Sequence, residues 1–258
     1  MPPLSSLLHP PQPPTNLPNS FEPEPLKKAK PFPKGFHMLA GNAAARTFAN
    51  DFPAKAITYL CAGNETGPNT YAFPAGKCPD YLRAQILMPS CWNGKDAAPV
   101  GGKSHVSYFT GDIRGGMCPP DFPIRLPHML YEIEYDTSRY KDEWKDNKQP
   151  FMWANGDRTG YSFHGDFTNG WDMDVLRTAL DTCVTGGTVE ECKAVTPITD
   201  WNESRACKKA VSVDEDVKGP LGKLPGCNAV TGVGEMARPL EGCTDTAALL
   251  PSSSTLGS

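Results

Sequence analysis

IRLPHMLYEIEYD, residues 124–136, decides the fold class. From Met129 on, the stretch alternates: Met129, Tyr131, Ile133 and Tyr135 fall on one side of an extended chain, Glu132 and Glu134 on the other. Successive strand side chains point to opposite faces, so the pattern predicts a strand with one buried and one wet face. Pro127 lacks the N–H that a central strand donates, which marks a bulge or an edge. Working outward, AITYLC (56–61), YLRAQILM (81–88) and SHVSYF (104–109) read as further strands bounded by turn residues, and FMWA (151–154) as a short buried run. One helix is expected at about 172–185. Trp171, Val175, Ala179 and Cys183 fall four apart, Leu176 and Leu180 widen the stripe, Asp172 stands ready to cap it, and Gly186-Gly187 ends it. Several short strands, many Gly/Pro turns and a single helix predict a β-rich, β-sandwich-like domain with disulfide-stapled loops.

Composition sets the boundaries. Residues 1–34 are dense in proline and lack periodicity, which predicts a disordered lead-in without a packed core. Residues 35–243 read as a single β-rich domain, and 244–258 as a disordered tail. Net charge is −4 with the two signs interspersed, and LKKAK (26–30) is the only basic cluster, so nucleic acid is not expected as a partner. No apolar run approaches the roughly 20 residues of a membrane span.

Nine cysteines without a CxxC pair read as a disulfide framework rather than a zinc module. Short loops close easily, so the expected pairs are Cys61–Cys78, Cys91–Cys118, Cys183–Cys192 and Cys207–Cys227, with Cys243 left over. Sequons at Asn64 and Asn202 add two candidate glycosylation sites. All of this points to an oxidising, extracellular setting. MPPLSSLLHPPQPP, however, has no basic n-region and too short an apolar stretch for a signal peptide.

GYSFHGDFTNGWD, residues 160–172, is the first candidate site. If 161–167 is extended, Ser162, His164 and Asp166 share one face, and Tyr161, Phe163, Gly165 and Phe167 the other. His164 and Asp166 can then reach one ligand, or Asp166 can fix the tautomer of His164. A structural turn is the competing reading. The second constellation holds Arg83, Trp92, Lys103, His105 and Tyr108. Tryptophan stacks on sugar rings and Arg or Lys pairs with carboxylates, as a polysaccharide site requires; Trp92, beside Cys91, can equally pack against a disulfide. His128 reads as structural, and His9 and His37 carry little signal. Lys103 and Ser107 flank His105 at i±2 as Ser162 and Asp166 flank His164, which predicts one polar cleft holding His105, His164, Asp166 and Tyr108.

LRAQILMPSCWNGKD, KSHVSYF, CPPDFPIRLPHMLYEIEYDT, GYSFHGDFTNGWD and LPGCNAVTG, in this order, resemble a fungal family of secreted proteins known only as domain of unknown function nineteen ninety-six. The resemblance runs from about residue 18 to about 232 and implies a secreted or cell-wall setting, but no reaction. Family members typically start with a further segment bearing a paired-histidine G-H-x-H motif and more cysteines. This chain enters the pattern at NSFEPEP (19–25), so it reads as N-terminally truncated, which would account for the ninth cysteine.

Three functions stay open. An enzyme acting on wall polysaccharide would use His105, His164, Asp166, Tyr108 and Tyr161 as catalytic groups, with Arg83, Trp92 and Lys103 holding substrate. A lyase fits better than a hydrolase, because Asp166 lacks an evident second carboxylate. A non-catalytic carbohydrate-binding or wall protein is the alternative, and a histidine-based metal site completed by the family's paired histidines is the third. The metal reading, copper or zinc, would use His105, His164 and Asp166 together with those paired histidines, and the residues name no cofactor.

Overall fold

The computed structural model describes residues 28–61, 69–140, 142–145, 148–183, 192–195, 206 and 221–242. Eight strands run in chain order: β1 His37–Gly41, β2 Ile57–Cys61, β3 Tyr81–Leu87, β4 Cys91–Trp92, β5 Val106–Ser107, β6 Ile124–Arg125, β7 Leu130–Asp136 and β8 His164–Thr168. The helices are the single turn α1, Phe52–Lys55, and α2, Met173–Thr182. The fold is β-rich with one clear helix, as the alternation and the helical stripe predict.

Three antiparallel sheets form: β2-β3-β7, the small β5-β4-β6, and the ribbon β1-β8. In β7, Tyr131, Ile133 and Tyr135 turn away from Glu132 and Glu134, which meet Gln85 and Arg83 of β3 in register. Pro127 falls in the break between β6 and β7, where no ladder hydrogen bond is needed. SHVSYF pairs only over Val106–Ser107, and residues 151–154 form no strand.

The ribbon stacks face to face on the larger sheet. A side chain at Gly165 of β8 would meet Met88, Ile86 and Tyr131 at 3.2–3.4 Å, so glycine lets the layers close. The interior between them holds Met38, Phe167, Tyr59, Ala84, Ile86 and Met88, with Tyr59 completely buried. Two sheets packing inner face to inner face around such side chains is the sandwich logic. Truncating a fully buried residue such as Ile86 to alanine would cost about 2–5 kcal/mol. Packing reaches back ahead of Gly35: Phe32 is 1% exposed, lies 4.7 Å from Phe167 ring to ring, and Lys30 N donates to Arg125 O. Residues 1–27 of the proline-dense lead-in lie outside the described residues.

Helix α2 begins where Asp172 accepts hydrogen bonds from Asp174 N and Val175 N, and Leu176 anchors it in the core. Cys61–Cys78, Cys91–Cys118 and Cys183–Cys192 are bonded as short-loop closure predicts. Cys227 is disulfide-bonded too; Cys207, Cys243, Asn64 and Asn202 lie outside the described residues, and with them the expected Cys207–Cys227 pair and both sequons. No helix among the described residues is long and apolar enough to cross a membrane.

Candidate functional site

The outward face of the β1–β8 ribbon is built by alternation. Phe36, Met38 and Ala40 go inward; His37, Leu39 and Gly41 go outward opposite Thr168, Asp166 and His164. His37 N and Leu39 N donate away from β8, to Ala97 O and Gly102 O. These cross-strand pairs are therefore of the non-hydrogen-bonded kind, with Cα atoms about 4.5 Å apart and side chains close. The backbone of 97–102 also covers what would be a free strand edge.

His37 Nε2 meets Asp166 Oδ1 at 2.6 Å. Only the imidazole can carry the proton of this contact when Asp166 is ionised, so His37 donates from Nε2 and keeps Nδ1 free. Gly102 gives the ring its room: a Cβ there would sit 3.3 Å from His37 Cε1 and 3.0 Å from Leu39 Cγ. His164, exposed, contacts Ser162 O through Nδ1 at 2.9 Å. A carbonyl only accepts, so Nδ1 holds the hydrogen and the neutral ring presents its lone pair at Nε2. Lys103 sets its ammonium on the carbonyl of Gly41, the residue paired with His164. At the other end of β8 the face runs into an open groove of about 460 Å³ lined by Phe167, Thr168, Trp171 and Val175, with Trp171 39% exposed.

The expected pairing of His105 with His164 in one polar cleft is not what forms. His105 is 0% exposed, its ring lies 5.0 Å from that of Phe36, and neither ring nitrogen makes a well-formed hydrogen bond among the described residues. Burial pulls its pKa below the ordinary histidine value; the His37 backbone and Asp96 favour the charged form, but less strongly. The i±2 polarity misleads because residue 105 precedes a two-residue strand, and the segment turns its imidazole under β1 rather than along a long wet face. Tyr108 is also interior, donating to Leu87 O at 3.1 Å, with its pKa raised by burial. Tyr161 is half-buried against Phe48, 6.0 Å ring to ring.

The remaining candidates scatter. Arg83 lies on the outer face of β2-β3-β7, bonded to Glu134 at 2.6 and 2.9 Å and 3.6 Å from Glu132. Burial pulls its pKa down, but the Glu134 hydrogen bond and the two carboxylates raise it on balance, so the cation is already neutralised. Trp92 donates to Asp96 O at 2.7 Å and packs edge-on to Phe36, 6.0 Å away. His128 accepts a structural role with Ser90, Nδ1 to Oγ at 2.7 Å.

The opening half of GYSFHGDFTNGWD is a structural knot, and only its second half faces solvent. Asp157, 0% exposed, accepts from Thr159 N, Thr159 Oγ1 and Ser162 N. Arg46 stands 3.9 Å from Asp157 and donates to Thr231 Oγ1, Asn155 O and Ala45 O. Ser162 thus belongs to this knot, while His164 and Asp166 project from the ribbon. Residue-level reading missed His37. Its only sequence signal is the alternation Phe36-x-Met38-x-Ala40 around it, and its partner lies 129 positions away. Among the described residues no three His, Cys, Asp or Glu side chains gather as a metal-ligand set.

A disulfide-stapled, β-rich domain with a histidine–aspartate pair on an exposed ribbon is the class of protein that fold and site define. Residues 18–171, more than half of the chain, match the family described as Domain of unknown function (DUF1996), and the chain belongs to that family. The match ends at Trp171, at the mouth of α2, short of the LPGCNAVTG motif that the resemblance included. No curated protein and no solved structure matches the chain.

Proposed function

We propose that this is an extracellular, cell-wall-associated protein that acts on polysaccharide, with the outward face of the β1–β8 ribbon as its contact surface. The observation that carries the reading is the His37–Asp166 pair, 2.6 Å apart on a solvent-facing ribbon that leads into the Trp171 groove. An imidazole oriented by a carboxylate is suited to bonding sugar hydroxyls or to moving a proton, and the exposed indole of the groove that Thr168, the partner of His37, also lines is suited to stacking on a sugar ring. Three disulfides among the described residues are in keeping with an oxidising compartment. Asp166 is the one carboxylate among the outward residues of β1 and β8, so the paired-carboxylate chemistry of a hydrolase finds no support on this face.

Product release from soluble and insoluble wall polysaccharides, read as new reducing ends and as unsaturated sugar, tests the proposal. Release that disappears in His37→Gln and Asp166→Asn supports a catalytic ribbon. Binding without release supports the non-catalytic alternative, which the exposed Trp171 favours. Absence of both binding and release rejects the reading.

A further inference from the structure

We infer that Lys103 and His164 form a subsite for the carboxylated sugar of a uronate-containing polysaccharide; this rests on the polysaccharide reading above and narrows its substrate class. Three observations converge at one end of the ribbon. First, Lys103 is exposed, and no carboxylate among the described residues lies within ion-pair distance of it, whereas Arg83 is held by Glu132 and Glu134. Its ammonium is parked on a neutral acceptor, the Gly41 carbonyl, which leaves its charge uncompensated. Second, Gly41 is the ribbon residue opposite His164. At φ +79° it has no side chain to cover the histidine, and any Cβ would collide with Phe163 O at 2.4 Å and His164 Cα at 2.9 Å. Third, Ser162 O holds the hydrogen of His164 on Nδ1, so Nε2 faces solvent as a lone-pair base. A cation without a carboxylate, an open glycine floor and a base of defined tautomer suit a ligand that brings its own carboxylate and an acidic C–H beside it.

The chemistry is a β-elimination. Lys103 pairs with the uronate carboxylate, which makes the C5 hydrogen more acidic by stabilising the carbanion-like charge. His164 Nε2 takes the C5 proton, the C–H electron pair becomes the C4=C5 double bond, and the C4–O bond breaks. The departing oxygen takes a proton from water, and His164 returns its proton to solvent across the open face, while the His37–Asp166 pair, at the other end of the ribbon, holds a neighbouring sugar of the same chain in place. No oxidant, reductant or further reactant enters.

Affinity electrophoresis and ultraviolet detection of unsaturated uronate test this on the full chain. The probes are polygalacturonate, its methyl ester, and a neutral β-glucan. Lys103→Gln removes the charge but keeps a donor for Gly41 O; Lys103→Arg keeps the charge. Polygalacturonate binding weakened about tenfold in Lys103→Gln, retained in Lys103→Arg and weak for the methyl ester is expected. His164→Gln should remove the unsaturated product while changing binding less than threefold. Equal binding of acid and ester, or no effect of Lys103→Gln, overturns the uronate subsite while leaving the polysaccharide reading standing. Binding by the wild type without unsaturated product, or product that persists in His164→Gln, overturns the elimination role. Failure to bind all three polymers overturns both proposals.

Discussion

His37 and Asp166 stand 129 residues apart in the chain and 2.6 Å apart in space, joined across the β1–β8 ribbon by a hydrogen bond from Nε2 to Oδ1. The pair exists because β1 and β8 present alternate residues outward in matched register, and because Gly102 leaves space for the imidazole. It is a surface contact, so its stabilisation is on the order of 1 kcal/mol or less. Asp166→Asn should therefore shift the urea midpoint only slightly while reducing polysaccharide action at least tenfold. A large loss of stability would mean that the pair serves the fold instead.

Asp157 is the opposite case. It is fully buried, accepts three hydrogen bonds and faces Arg46, itself buried. Removing one partner leaves the other charge uncompensated in the interior, which costs about 3–5 kcal/mol. Asp157→Ala should destabilise by that amount in urea unfolding, and Arg83→Gln, at the outer face of the larger sheet, by about 1 kcal/mol or less.

The strands and the helix were legible because their signal is local. The Met129–Tyr135 alternation, the Asp172 cap and the stripe through Leu176 each lie within a dozen residues. Short cysteine spacing likewise gave three bonded pairs, since closing a small loop costs little entropy. The site was half legible. His164 and Asp166 share a face by strand geometry alone, but whether His105 points at solvent or at Phe36 depends on how a two-residue strand packs under β1. His37 was invisible for the same reason: its meaning comes from the partner strand.

Acid should loosen the ribbon through His105. Its pKa in the folded state lies below the unfolded value of about 6.5, because burial disfavours the imidazolium. A depressed histidine pKa makes the unfolded chain take up the proton first as pH falls. Its penalty is thus absent above about pH 6.5 and grows below it, by up to about 1.4 kcal/mol per pH unit, until the folded pKa is passed. Urea unfolding from pH 7.5 to pH 5 should show this loss in the wild type and a flatter profile in His105→Leu. Parallel profiles would show that His105 carries no such linkage.

Gly41→Ala combines a left-handed backbone with a collision against Phe163 O, so it should cost about 1–3 kcal/mol from conformation alone. Gly35, also at positive φ, has open space around its Cβ position. Gly35→Ala should thus lose only the conformational part, and glycan contact should fall in Gly41→Ala but not in Gly35→Ala. Equal effects of the two substitutions on binding would detach Gly41 from the site.

Glycan contact on the outward face of the ribbon can be read residue by residue. The chain has five histidines, which makes ring-proton NMR a direct readout. Titrating polygalacturonate oligosaccharide into the protein should move the His37 and His164 ring signals and leave those of His105, buried against Phe36, and His128, bonded to Ser90, in place. Saturable binding that moves His128 alone, or moves no histidine signal, would contradict the account.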